Sequence, residues 1–140
     1  MKTIPHRRQG GIALLEAMLA IVILGIGLLG TVGLQARAYS ALSDAGARAE
    51  ATLATEKLIG IINADVPNIA QYNLAESGTP NSSLKDWAAE TRKNIPGAIL
   101  IVQVQDQAAQ NRYLVDITIR WQRKAKSETN RHRVISYIAR

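Results

Sequence analysis

The sequence contains no cysteine and only two histidines. Without cysteine, a disulfide framework and a thiolate metal site are excluded. His132 has no second histidine or cysteine near it in the sequence, and the acids are scattered without a paired-carboxylate or nucleophile constellation. A glycine-rich phosphate loop is also lacking. We therefore predict a protein that is not an enzyme, with no catalytic residue, no metal site and no cofactor.

The net positive charge is unevenly spread along the chain, and part of it comes from the N-terminus. The net charge of +6 includes Lys2, Arg7 and Arg8, and the first eleven residues contain no acid. The rest of the chain is therefore less basic than the total implies. The net charge alone does not indicate nucleic-acid binding.

One segment, residues 12–34, is far more apolar than the rest. Its only ionisable residue is Glu16, and Thr31 is the sole polar side chain after it. About 20 such residues suffice to cross the hydrocarbon core of a bilayer as a helix. What remains of the chain can form only a small globular part with a modest core.

Two ordinary explanations exist for this N-terminal pattern. A secretory signal peptide would have the basic start and a cleavage site at Ala36-Arg37-Ala38, but its apolar region is normally much shorter. A plain single-pass anchor accounts for the length, and the basic residues before it would place the N-terminus in the cytoplasm. Neither explains a carboxylate at Glu16.

The stretch Gly10-Gly11-Ile12-Ala13-Leu14-Leu15-Glu16 resembles the prepilin processing signal of type IV pilins. The resemblance implies cleavage between Gly11 and Ile12 by a prepilin peptidase, N-methylation of Ile12, and a role for Glu16 in subunit assembly. Residues 1–11 are then the leader. Ile12 replaces the commoner phenylalanine and Ala13 the commoner threonine or serine, and both keep the surface apolar.

The chemistry gives a reason for that pattern. A carboxylate within bilayer hydrocarbon costs about 2.5–3.5 kcal/mol on insertion scales, so it needs a partner. Cleavage would create an ammonium group at Ile12 that can pair with Glu16 of the same or a neighbouring chain. A subunit in the wrong register would leave two charges unpaired.

Four glycines, Gly25, Gly27, Gly30 and Gly33, interrupt the apolar segment. Small residues allow helices to approach closely in a filament or membrane. Each glycine also weakens a helix by up to about 1 kcal/mol relative to alanine, which would favour local melting during assembly. Glycine is also simply frequent in membrane helices. Close helix packing, local melting and this general frequency are therefore three explanations of the four glycines.

The remaining pattern predicts an α+β fold. Residues 12–66 form one long helix, of which residues 12–34 are the membrane or filament-core span. From Gln35 to Val66 the only breakers are Gly46 and Gly60, and Pro67 ends the run. Residues 67–98 form a connecting region with a short helix from Leu84 to Lys93, begun by a capping box at Ser83 and Asp86.

Residues 99–140 predict an antiparallel β-meander. The run from Ile99 to Asp106 is rich in β-branched residues, and the next, Arg112 to Arg123, alternates apolar and polar side chains; the last runs from Arg131 to Ala139. Alternation with short polar connections predicts one face on a core. We expect that face to pack on the second half of the long helix, as in a type IV pilin-like fold, with Trp87 also buried.

The resemblance to type IV pilins extends to the minor pilin family called PilV. The segments that carry it are Ile23-Leu24-Gly25-Ile26-Gly27-Leu28-Leu29-Gly30, Gly33-Leu34-Gln35-Ala36, Ala51-Thr52-Leu53-Ala54, Glu56-Lys57-Leu58-Ile59, Trp87 with Pro96-Gly97, and Ile119-Arg120-Trp121-Gln122. Lys57 departs from the asparagine expected there.

The PilV resemblance implies a low-abundance subunit that helps to start pilus assembly and sits near the filament tip. Its implied partners are other minor pilins, the major pilin, the prepilin peptidase, the inner-membrane assembly platform and a tip adhesin. It implies a single-pass inner-membrane protein with a cytoplasmic N-terminus and a periplasmic C-terminal domain, which then enters the extracellular pilus.

Two other functions fit the same sequence. A minor pseudopilin of type II secretion shares the signal and the architecture. A competence pilin could instead capture DNA with a polyanion patch, which would consist of Arg120, Arg123, Lys124, Lys126, Arg131 and Arg133. The same cations on a sheet edge would also discourage strand-to-strand aggregation or contact an acidic subunit, so nucleic-acid binding is the less favoured interpretation.

Overall fold

The computed structural model describes residues 10–122 and 128–140. The chain forms two compact units, which divide between Ser43 and Asp44. A single helix, α1 (Gly10–Ala64), contributes residues to both units. The first unit exposes its apolar side chains, whereas the second unit has a buried core.

The first unit contains α1 up to Ser43, and its large apolar side chains are exposed. Ile12, for example, is 70% exposed, and none of the most apolar window of this helix is buried by the chain itself. Within residues 10–122 and 128–140, α1 is the one helix long and apolar enough to cross a membrane. The hydroxyl of Thr31 donates to the carbonyl oxygen of Leu28 at 2.8 Å, so this polar group is satisfied within the helix.

The second unit begins with the rest of α1, which has one buried face. Ala51, Thr55, Leu58 and Ile62 recur at helical spacing and are all buried. Leu53 points away from this face and is exposed. This amphipathic pattern turns the later part of α1 into one wall of a core.

The helix ends at Ala64, two residues before the predicted boundary. Asp65 leaves the helical conformation (φ −134°, ψ 41°), and a 3₁₀ helix, Val66–Tyr72, follows with Pro67 near its start. The hydroxyl of Tyr72 donates to Oδ2 of Asp65 at 2.9 Å. Burial, together with this hydrogen bond and the charge of Asp65, raises the pKa of Tyr72.

Helix α2 (Ser82–Asn94) lies within the connecting region. The predicted capping box at Ser83 is wrong, because Asn81 is the N-cap and its Oδ1 accepts a hydrogen bond from the backbone of Leu84 at 3.2 Å. The side-chain amide of Asn81 also donates to the carbonyl oxygen of Gln71 at 2.5 Å. This second contact ties the cap to the preceding 3₁₀ helix.

Three strands form an antiparallel sheet in the order β1-β2-β3: β1 (Ile99–Gln107), β2 (Arg112–Trp121) and β3 (Asn130–Ala139). Gly97, with φ 76°, makes the turn that leads into β1. A short 3₁₀ turn and Asn111, in the left-handed conformation, connect β1 to β2. The predicted α+β pilin-like fold, with its small antiparallel sheet, is confirmed.

The core of the second unit lies between the inner face of the sheet, α2 and the later part of α1. One face of the sheet packs on this core as predicted: the side chains of Leu100, Val102, Val115, Ile117, Ile119 and Trp121 are buried, and those of Val104 and Tyr113 are partly buried. Trp87 is buried as predicted, and its indole N–H donates to the carbonyl oxygen of Ala54 at 2.8 Å. This bond joins α2 to the later part of α1.

Substitution of Leu58 tests the buried face of α1. Leu58 is completely buried, so Leu58→Ala should lower the free energy of unfolding by about 2–5 kcal/mol through lost contacts and a residual cavity. Leu53 is 58% exposed on the same helix, and Leu53→Ala should change it by less than about 0.5 kcal/mol. The measurement is urea unfolding of the full chain in detergent micelles, followed by the fluorescence of Trp87 and Trp121. Equal effects of the two substitutions would contradict this core.

Candidate processing and assembly site

The predicted cleavage position lies within the first turn of α1. This helix begins at Gly10, so the bond between Gly11 and Ile12 is in helical backbone. A peptidase that takes extended backbone would have to unwind this turn. Each of the two glycines lowers the cost of doing so by roughly 0.5–1 kcal/mol relative to alanine.

Glu16 lies one helical turn after Ile12. Residues four apart share a face of a helix, so the backbone nitrogen of Ile12 and the Glu16 carboxylate belong to the same side of α1. Glu16 is exposed, and it forms no ion pair with another residue in the part of the chain that the structure describes. This exposed carboxylate, in an otherwise uncharged segment of α1, therefore has no partner among the described residues of its own subunit.

The four glycines of the apolar segment are not required by packing within the chain. A Cβ atom added at Gly25, Gly27, Gly30 or Gly33 would meet no heavy atom within 4 Å. The same is true of Gly60 in the second unit. Among the described residues, therefore, no contact requires glycine at these four positions.

The structure places the three described members of the predicted polyanion patch on one face of the β2–β3 pair: Arg120 lies opposite Arg131 in the register, and Arg133 lines the same shallow groove. Arg120 forms an ion pair with Glu76, and Arg133 contacts both carboxylate oxygens of Asp116, the closest at 2.5 Å. This contact raises the pKa of Arg133. Arg131 has no carboxylate partner among the described residues, whereas Arg123, Lys124 and Lys126 lie outside them.

Several polar contacts across the second unit were not predicted from the sequence. Lys57 forms an ion pair with Glu90 of α2, which gives this departure from the PilV pattern a structural partner. Nε2 of His132 lies 3.3 Å from the hydroxyl oxygen of the buried Thr55 and so links β3 to α1. These pairs are 33 and 77 residues apart in sequence, and no local pattern indicates them.

The described residues contain no group of three histidines, cysteines or acids placed to hold a metal ion. His132 contacts a threonine rather than a second potential ligand.

A comparison with protein families gives one match at this segment. The family model described as the prokaryotic N-terminal methylation motif matches residues 6–32. Residues 6–32 are a type IV pilin-like prepilin signal. The match includes Gly11, Ile12 and Glu16, and it indicates a pilin-like structural protein rather than a known enzyme family.

Searches of curated proteins and of solved structures found no significant match. The prepilin signal and the long apolar helix are consistent with a membrane-anchored, pilin-like protein. Such a signal implies processing by a prepilin peptidase and assembly with other pilins.

Replacement of Glu16 tests its part in assembly. Glu16→Gln removes the charge and keeps the size, so we expect the chain to reach the membrane but to be reduced at least about tenfold in filaments, for a lost contact of about 1.4 kcal/mol or more. The measurement is the ratio of protein in sheared filaments to protein in membranes. Glu56→Gln, at an exposed acid of the second unit, is the matched control. Equal incorporation of both variants would contradict a role for the Glu16 charge.

Substitution of the glycines tests local melting. Replacing Gly25, Gly27, Gly30 and Gly33 together by alanine should stabilise this stretch of helix by up to about 1 kcal/mol per site, because nothing in the chain opposes the added methyl groups. Amide hydrogen exchange over residues 25–33 in micelles should slow, and incorporation into filaments should fall. Gly60→Ala is the control for a glycine equally free of contacts. Slower exchange with unchanged incorporation would exclude melting as a step in assembly.

Proposed function

We propose that this chain is a minor pilin that helps to initiate type IV pilus assembly and is incorporated near the pilus tip. The observation that carries the proposal is the prepilin signal at residues 6–32, at the start of a helix whose apolar surface its own chain leaves exposed. Such a surface needs lipid before assembly and other apolar helices after it.

The proposed sequence of events starts in the inner membrane. Lys2, Arg7 and Arg8 retain the N-terminus in the cytoplasm, and the second unit is periplasmic. A prepilin peptidase removes residues 1–11, and the new amino group of Ile12 is then N-methylated. The assembly platform transfers the processed subunit into the filament.

Glu16 would set the register of the subunit. Within the filament its carboxylate pairs with the ammonium group of Ile12 on its own or a neighbouring chain. A helix displaced along its axis loses this pair, and two charges are then stranded in an apolar environment. The absence of any partner for Glu16 among the described residues of its own subunit supports this role.

The choice of a minor, initiating subunit rests on the resemblance to PilV. Other minor pilins, the major pilin and a tip adhesin are the corresponding partners. The main alternative is a minor pseudopilin of type II secretion, because the same signal and fold would serve a short periplasmic pseudopilus. Recovery of the chain in sheared extracellular pili would favour the pilus, and its requirement for secretion of enzymes would favour the pseudopilus.

DNA capture receives less support. Of the patch residues that the structure describes, Arg120 and Arg133 are engaged by carboxylates, which leaves less positive charge for phosphate. We therefore keep assembly as the proposed function of the chain.

The intact mass of the chain tests the proposed processing. Protein from membranes of cells with a prepilin peptidase should lack residues 1–11, and N-methylation at Ile12 should add about 14 Da. Protein from peptidase-negative cells should keep the full mass. Gly11→Val should also remain uncut, since it places a branched side chain next to the scissile bond. An uncut wild-type chain would indicate a plain anchor, and cleavage after Ala38 a secreted protein; either result would overturn the proposal.

A further inference from the structure

The two edges of the sheet differ. At the β1 edge, Leu74 pairs with Val102 through two backbone hydrogen bonds of 2.8 and 2.9 Å. Oδ1 of Asn73 accepts a hydrogen bond from the backbone N–H of Val104 at 2.8 Å. The connecting region therefore meets backbone groups that point outward from β1.

The register shows which residues point outward from β3. Val102 and Val104 direct their N–H groups away from β2, and antiparallel ladders alternate the direction residue by residue. The paired residues of the three strands match one to one, so the alternation continues from β1 through β2 to β3. In β3 the backbone N–H groups of the even-numbered residues therefore point toward β2. The bond from the backbone N–H of Arg140 to the carbonyl oxygen of Asn111 has the same direction. The residues of β3 whose backbone N–H groups point outward, away from β2, are Arg131, Arg133, Ile135, Tyr137 and Ala139.

This β3 edge is long, regular and open. Its ten residues pair with β2 without a bulge, and β3 contains neither proline nor glycine. No second strand pairs with β3 within the described part of the chain. Proteins normally protect such an edge with a bulge, a proline, charges or a covering segment, because its free backbone groups can bind another strand.

The C-terminal part of the open edge has no charged residue of its own, although the guanidinium of Arg112 on β2 lies over the Tyr137 ring at 4.1 Å. Residues 134–139 carry no charge, and the outward-facing side chains of Ile135 and Tyr137 are 47% and 55% exposed. Leu114 of β2 lies directly opposite Tyr137 on the same outer face. A strand added here would therefore gain both backbone hydrogen bonds and apolar contact.

One end of the edge carries an unbalanced charge. Arg131 lies directly opposite Arg120 in the register, and like charges in this position repel. Arg120 is compensated by Glu76, whereas Arg131 lacks an acid partner within residues 10–122 and 128–140. Strand β3 itself contains no acid. A carboxylate supplied from outside the chain would complete this pair.

We propose that the open edge of β3 binds an extended segment of a different subunit, with apolar residues facing Ile135 and Tyr137 and an acid facing Arg131. That the donor is another subunit of the same filament rests on the proposed function. A second copy of this chain fits less well. Two β3 strands paired antiparallel about Ile135 would place Arg131 opposite Ala139 and provide no carboxylate.

A proline tests the backbone part of this interaction. The N–H of Ile135 points away from β2, so Ile135→Pro removes an edge donor and leaves the β2–β3 ladder intact. Ile135→Thr keeps the N–H and the β-branched shape, and it serves as the control. A photo-crosslinking amino acid at Tyr137 of the full chain, in cells that assemble the filament, reports binding, and mass spectrometry identifies the crosslinked peptide.

We expect a crosslink to an extended, acid-containing segment of another protein that bears a prepilin signal. Ile135→Pro should reduce its yield by at least about tenfold, as should Arg131→Glu, for a loss of about 1.4 kcal/mol or more. Arg92→Glu, at an exposed arginine of α2, should leave the yield unchanged. Arg131 is exposed on the outer face of the sheet, so Arg131→Glu reverses its charge without removing a backbone donor. This variant therefore tests the charge contact even if Ile135→Pro disturbs the strand.

The outcomes separate this inference from the proposed function. A crosslink between two copies of this chain, or a yield unaffected by both Ile135→Pro and Arg131→Glu, would overturn the inference while the processed mass still supported a pilin. An unprocessed chain would overturn the proposed function itself. Restored crosslinking of Arg131→Glu by a lysine in place of the partner's acid would establish the predicted charge pair.

Discussion

The apolar surface of residues 12–34 is the constraint on which the rest of the molecule depends. None of the residues that the structure describes buries this surface, and an uncovered apolar helix is not stable in water. The helix therefore needs an apolar environment, which lipid provides and which, under the proposed function, a bundle of similar helices would provide in a filament. Glu16 is the one ionisable residue of this segment. Because a charge in an apolar environment needs a partner, the position of that partner would strongly restrict where the helix can lie.

In the second unit, the later part of the same helix contributes to a hydrophobic core. A three-stranded sheet is too small to bury both faces of its strands, so its inner face packs with α2 on the later part of α1. Leu58 and Ile62 enter this core, and the Trp87 indole fixes α2 to the backbone of α1. A core that depends on one helix leaves the far side of the sheet and the β3 edge available for other subunits.

The two proposed contacts would control different properties of an assembly. A charge pair at Glu16 recurs in any subunit with the same signal, so it sets axial position without choosing a neighbour. A strand bound at the β3 edge would depend on a particular pattern of apolar and acidic residues. Specific pairing needs such a second contact, since a contact shared by every subunit cannot discriminate among them.

The sequence by itself determined the apolar span, the prepilin signal with Glu16, and the inward faces of β1 and β2, because each depends on local composition or on a period of two. The tertiary structure alone decided the cap at Asn81, the pairs of Lys57 with Glu90 and of Thr55 with His132, and the placement of Arg131 opposite Arg120. Except for the local cap, these contacts join residues distant in the chain, such as Lys57 with Glu90 and Thr55 with His132. A shift of one residue in strand register or a small rotation of a helix would replace them, and no local pattern carries that information.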